Sequence, residues 1–135
     1  MQRFLQALSF PQKQVFSAIL SSNDPLDFSL TFDYINSMFE IKRTPEFTGW
    51  LDGLKDKLTH ARLVRRLEKA AKGNLGDVEP VGEGVNEMRE HFGTGWRMYY
   101  TQRGRTLIVM LGGGDKSTQN ADIKQARKLA ATMED

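Results

Sequence analysis

The sequence predicts an α+β domain, a small antiparallel sheet with two helices ahead of it and one helix after it. Residues 85–116, VNEMREHFGTGWRMYYTQRGRTLIVMLGGGDK, read as three strands joined by glycine turns. Two apolar stripes of helical spacing precede that stretch, and a third follows it. Helices grouped before a meander, rather than alternating strictly with strands, point to α+β rather than to a doubly wound sheet.

Residues 1–37 differ in character from the rest. They hold no Lys or Arg after Lys13, and Ser, Phe and Leu are frequent. A helix is expected from Pro11, with Val15, Phe16, Ile19 and Leu20 on one face and Ser21-Ser22-Asn23-Asp24-Pro25 as its stop. The segment reads either as a helical arm on the main domain or as residues ahead of a start at Met38. The organisation is therefore an extension over 1–37 and a principal domain over 38–135.

Phe39 to Arg43 alternates as a short strand does. Thr44-Pro45-Glu46 then supplies a hydroxyl N-cap, a proline at the first helical position and an acid near the positive end of the dipole. Phe47, Trp50, Leu51 and Leu54 form one stripe behind it. Gly49 and Gly53 each cost this helix about 1 kcal/mol relative to alanine, which predicts a close approach there. A second helix is expected over Leu58–Lys72, with Leu58, Ala61, Val64, Leu67 and Ala71 inward and Gly73-Asn74 as its stop. Arg62, Arg65, Arg66, Lys69 and Lys72 lie on its other faces, as a solvated surface or as a row that holds RNA phosphates.

Asp77–Val81 reads as a short strand, and Gly82-Glu83-Gly84 as a turn. In the next strand Glu87, Arg89 and His91 share one face, opposite Met88, Glu90 and Phe92. Gly93-Thr94-Gly95 is a hairpin turn. Beyond it Arg97, Tyr99 and Thr101 alternate with Trp96, Met98 and Tyr100. Thr106–Leu111 is apolar at nearly every position, as a strand covered on both faces is. The glycine run bends into a last helix that packs through Ile123, Ala126, Leu129, Ala130 and Met133.

Composition narrows the chemistry. With 39% apolar and 27% charged residues and a net charge of +2, the chain has an ordinary globular make-up. Without cysteine there is no disulfide, thiolate nucleophile or cysteine-held metal, and His60 and His91 have no metal-ligand spacing, so no cofactor is expected. No apolar run approaches the roughly 18 residues of a membrane span, and a cytoplasmic protein without a membrane partner is expected. GGGDKST is not a nucleotide-binding P-loop, because Asp115 stands where glycine must precede the lysine.

The sheet face carries the strongest functional signal. Paired around Gly93–Gly95, the strands bring Arg89, His91, Arg97 and Tyr99 together. Clustered guanidinium groups need an anion between them, which is either Glu87 in a salt-bridged network or a bound phosphate. RNA cleavage asks for two things. Cations must stabilise a pentavalent phosphate, and a His, Tyr or Lys must move protons to and from the 2′ and 5′ oxygens. Read as a surface side chain, Arg97 should tolerate alanine at a cost of about 0.5 kcal/mol.

Residues 38–135 resemble the RelE/ParE toxin superfamily, in its HigB-like branch of phage-derived or addiction-module killer proteins. The likeness rests on Thr44-Pro45-Glu46-Phe47 with Trp50-Leu51, Gly73-Asn74-Leu75-Gly76-Asp77, Gly82 with Gly84, and Glu87-Met88-Arg89. Gly93-Thr94-Gly95-Trp96-Arg97 with Tyr99-Tyr100, the run Leu111–Gln119, and Asp122-Ile123 with Ala126 extend it. The resemblance implies a RelE-like fold and the toxin of a type II toxin–antitoxin module, a ribosome-dependent mRNA endoribonuclease that works without metal. It implies three partners: the ribosome, mRNA and a cognate antitoxin, a helix-turn-helix protein encoded beside it. Arg97 matches the family's phosphate-stabilising arginine, Arg89 the basic position on the preceding strand, and Lys116 the basic residue before the last helix. The family's C-terminal tyrosine has no counterpart after Tyr100, so Tyr99, His91 and Lys116 are the remaining proton-transfer candidates. The same scaffold also serves gyrase poisons, and an inactive remnant is the third alternative.

Overall fold

A computed structural model describes residues 38–133; the helix expected from Pro11 lies outside them. The elements are β1 (Glu40–Arg43), α1 (Pro45–Asp52), α2 (Lys57–Ala71), β2 (Val78–Gly82), β3 (Val85–Arg89), β4 (Arg97–Arg103), β5 (Leu107–Gly114), a 3-10 turn (Lys116–Thr118) and α3 (Gln119–Ala131). They form one sheet in the order β1-β5-β4-β3-β2. β2 to β5 are the expected antiparallel meander, and β1 joins its far edge parallel to β5. This is the α+β architecture, with two helices ahead of the meander and one behind.

Alternation along the strands sorts the core into two layers. Met88, Met98, Tyr100, Ile108 and Met110 face Phe47 and Leu51 of α1 and Leu63, Leu67 and Ala70 of α2. Val85, Tyr99 and Leu111 face Ala126 and Ala130 of α3. Thr44 joins the layers at the start of α1. Its hydroxyl accepts from Phe47 N at 3.1 Å and donates to Met110 O at 2.8 Å, so the cap of α1 is also its tether to β5.

Three expectations are corrected. Leu58 is 62% exposed and Ala61 is also exposed; the inward stripe of α2 is Thr59, Leu63, Arg66, Leu67 and Ala70. Asp56 caps the helix through Leu58 N at 3.0 Å, which fixes its phase and turns Leu58 outward. Gly49 has nothing within 4 Å of a built β-carbon, so no close approach explains it. The close approach falls on the glycine run, which is strand rather than bend. Trp50 lies against Gly113 on one face of β5, and Asp122 and Thr118 press on Gly114 from the other. A side chain at either place would collide with them, so the strand ends in glycine to let α1 and α3 close on it.

Candidate functional site

Register places Arg89 of β3 opposite Arg97 of β4, and Glu87 opposite Tyr99. All four project toward α3, the face that the strand alternation predicts. Their heads then part. Arg89 turns to the sheet edge, where Nη2 meets Asp77 Oδ1 at 2.9 Å and Nη1 meets Glu79 Oε2 at 2.6 Å. His91 follows it outward. The imidazole is 70% exposed, and its Nε2 stands 2.7 Å from the other oxygen of Asp77.

Arg97 turns inward and is 4% exposed. Its Nη1 donates to the carbonyls of Glu90 and Trp96 at 3.1 Å each. Its Nε lies 3.6 Å from Oε1 of Glu87, close enough for charge attraction but long for a hydrogen bond. Glu87 is 3% exposed and accepts from Gln119 Nε2 at 2.8 Å. The salt-bridged network considered from the sequence therefore exists, with Arg97 in it and Arg89 paired elsewhere. Alanine at Arg97 is thus not the mild surface change the sequence suggests.

Lys116, exposed at the start of the 3-10 turn, lies over the hairpin. Gly95 has φ +80°, and a β-carbon there would stand 3.2 Å from Lys116 Cδ and 3.6 Å from Arg97 Nη1. Glycine at this position lets the aliphatic stem of Lys116 and the Arg97 guanidinium both approach the hairpin. Asp115 anchors the bend by accepting from Ser117 N at 2.9 Å.

Two candidates sit differently from expectation. Tyr99 is fully buried, with its hydroxyl turned toward the Glu87 carboxylate rather than to solvent. Burial first, and then the charge of Glu87, push its ionisation far above the usual phenol range. A sealed phenol is not positioned to exchange protons with a bound substrate. Arg66, expected on an outer face, points inward at 9% exposure. Its Nε and Nη2 donate to Leu75 O at 3.1 and 2.8 Å, Nη2 also to Asp77 O at 2.8 Å, and Nη1 to Arg89 O at 2.9 Å and Glu90 Oε1 at 2.8 Å. Those donors are spent on the protein rather than on RNA. Gly76 (φ +70°) lets the chain wrap this guanidinium, since a β-carbon there would come within 2.9 Å of it. Arg62, Arg65 and Lys69 remain exposed on α2, and Arg62 stacks on Phe92 at 4.7 Å, which brings the row to the turn that carries His91.

Asp77 is the residue sequence reasoning missed as part of the site. Hydrogen bonds from Arg89 and then His91 hold its carboxyl at about 2, below the ordinary 3.8. The stability this contributes is present above the unfolded value and is lost as pH falls toward about 2. Denaturant midpoints between about pH 5 and about pH 2 should therefore fall less steeply for Asp77→Asn than for the natural chain. Among the described residues, no group of three His, Cys, Asp or Glu side chains could hold a metal ion. No described helix is long and apolar enough to cross a membrane.

Residues 49–134 match the family model for phage derived protein Gp49-like (DUF891), which covers more than half of the chain. The chain belongs to this Gp49-like family. It is also 42% identical over 94 residues to a Haemophilus influenzae Rd protein described as uncharacterized, spanning 70% of this chain and 95% of that one. The Gp49-like family is associated with RelE and toxin-like proteins, and the mixed sheet with its closing helix is consistent with a RelE-like fold. No solved structure matches the chain.

Proposed function

We propose that this Gp49-like protein is the toxin of a type II toxin–antitoxin module, and that it cuts mRNA on the ribosome with the RNA 2′-OH as nucleophile. The observation that carries the reading is the approach of the Lys116 stem and the Arg97 guanidinium to Gly95, with Arg89 and His91 at the same end of the sheet. Cations held by backbone turns need no reorganisation when charge builds on a pentavalent phosphate. Lys116 and Arg89 meet the phosphate, Arg97 supplies fixed positive charge from beneath, and His91 moves a proton. Arg62, Arg65 and Lys69 extend the positive surface along the RNA backbone. DNA lacks the 2′-OH and would not be cut by this chemistry. The partners are the ribosome, mRNA and a helix-turn-helix antitoxin encoded beside the toxin, all in the cytoplasm.

A second reading, a toxin that grips DNA gyrase without cutting RNA, is favoured by one feature. Tyr99 is sealed and Arg97 largely so, which leaves little exposed acid–base machinery. Induced expression separates the two. Growth arrest with transcripts broken inside coding regions supports the nuclease, whereas DNA breaks with continuing translation identify the gyrase poison.

A further inference from the structure

Resting on the nuclease reading, we propose that Asp77 is a positioning residue that holds His91 ready to take the proton of the attacking 2′-OH, while the same carboxylate orients Arg89 toward the phosphate. An ionised carboxylate only accepts hydrogen bonds. The 2.7 Å contact between Asp77 Oδ2 and His91 Nε2 therefore requires Nε2 to carry the proton. In the neutral ring Nδ1 is then the basic nitrogen, on a side chain that is 70% exposed. The other oxygen of Asp77 binds Arg89 Nη2, so one carboxylate orients a base and a cation together. A carboxylate that fixes a histidine's tautomer performs the same service in hydrolytic triads.

The Asp77 backbone is itself anchored. Its carbonyl accepts from Arg66 Nη2 at 2.8 Å and from Arg89 N at 2.9 Å. The buried Arg66 thus acts on the exposed dyad through the chain segment it grips. Ion pairs tie the imidazole to Asp77, Arg89 and, beyond Arg89, Glu79, and Arg62 lies over the neighbouring Phe92. In the reaction the 2′ oxygen bonds to phosphorus, the bond from phosphorus to the 5′ oxygen breaks, and a 2′,3′-cyclic phosphate results. The 2′ proton passes to His91 Nδ1, and the 5′ oxygen leaves with a proton from solvent water.

The test is single-turnover cleavage of ribosome-bound mRNA by the natural chain, Asp77→Asn, His91→Ala and the double variant. His91→Ala should be slower by about 100-fold and Asp77→Asn by about 10-fold, while in the His91→Ala background Asp77→Asn should cost clearly less than about 10-fold, only its share through Arg89 remaining. A purely structural Asp77 would slow both backgrounds equally, and that result overturns the proposal. Full-rate cleavage by His91→Ala also overturns it while leaving the nuclease reading intact. If the natural chain cuts no ribosome-bound RNA, the two fall together. Nitrogen-15 NMR of the natural protein, which needs no variant to fold, should show the neutral His91 protonated at Nε2. A proton at Nδ1 instead overturns the proposal directly.

Discussion

Replacing Arg97 with alanine is expected to destabilise the domain by about 3 kcal/mol, because it leaves Glu87 charged, buried and without its cation. Glu87 is 3% exposed, and its other described hydrogen bond comes from the neutral side chain of Gln119. Two backbone carbonyls, of Glu90 and Trp96, lose a donor in the same step. The double change Arg97→Met with Glu87→Gln should recover most of the loss, since it removes the orphaned charge as well as its partner. Urea denaturation of the natural chain and both variants measures both effects. A loss of only about 0.5 kcal/mol for Arg97→Ala, as at an exposed surface position, would show that the ion pair beneath α3 does not form. A toxicity assay on this variant alone therefore mixes folding with chemistry.

Arg66→Ala carries the other large effect, a loss of roughly 3–5 kcal/mol. The guanidinium is buried and joins α2 to the turn before β2 through Leu75 and Asp77, and to the end of β3 through Arg89 and Glu90. Removing it strands several carbonyls and the Glu90 carboxylate. Lysine should not restore the loss, because a single ammonium cannot reproduce a planar fork that reaches four residues at fixed angles. Denaturation midpoints for Arg66→Lys and Arg66→Ala should lie close together and well below the natural chain. Recovery by lysine would mean that charge matters here and the fork geometry does not.

These two arginines also show where the sequence was legible and where it was not. Alternation about Gly93–Gly95 correctly put Glu87, Arg89, Arg97 and Tyr99 on one face, because a two-residue period and a glycine turn leave little freedom of register. It could not give depth. Nothing in the β4 pattern says that α3 will cover Tyr99 and Arg97 while Arg89 escapes to the edge. In α2 an arginine in an amphipathic helix reads as surface, which phases the stripe through Leu58, whereas the buried stripe runs through Leu63, Arg66 and Ala70. The available signal was the Gly73–Asp77 stretch, whose turn with Gly76 at positive φ is shaped to receive a guanidinium. The glycine run reads as a bend for a similar reason, although it is strand. Gly113 answers to Trp50, which is remote in sequence, and Gly114 to Asp122 on the helix that follows.

The proposed phosphate site near Gly95 is tested most directly through Lys116, which is exposed, so its removal leaves the buried core untouched. The measurement is single-turnover cleavage of ribosome-bound mRNA by Lys116→Ala, alongside a thermal melt of the same sample. An unchanged melting temperature with cleavage slowed by about 100-fold or more is the expected result. Cleavage at the natural rate by a folded Lys116→Ala protein would contradict it, because the bend before α3 would then have no part in the reaction.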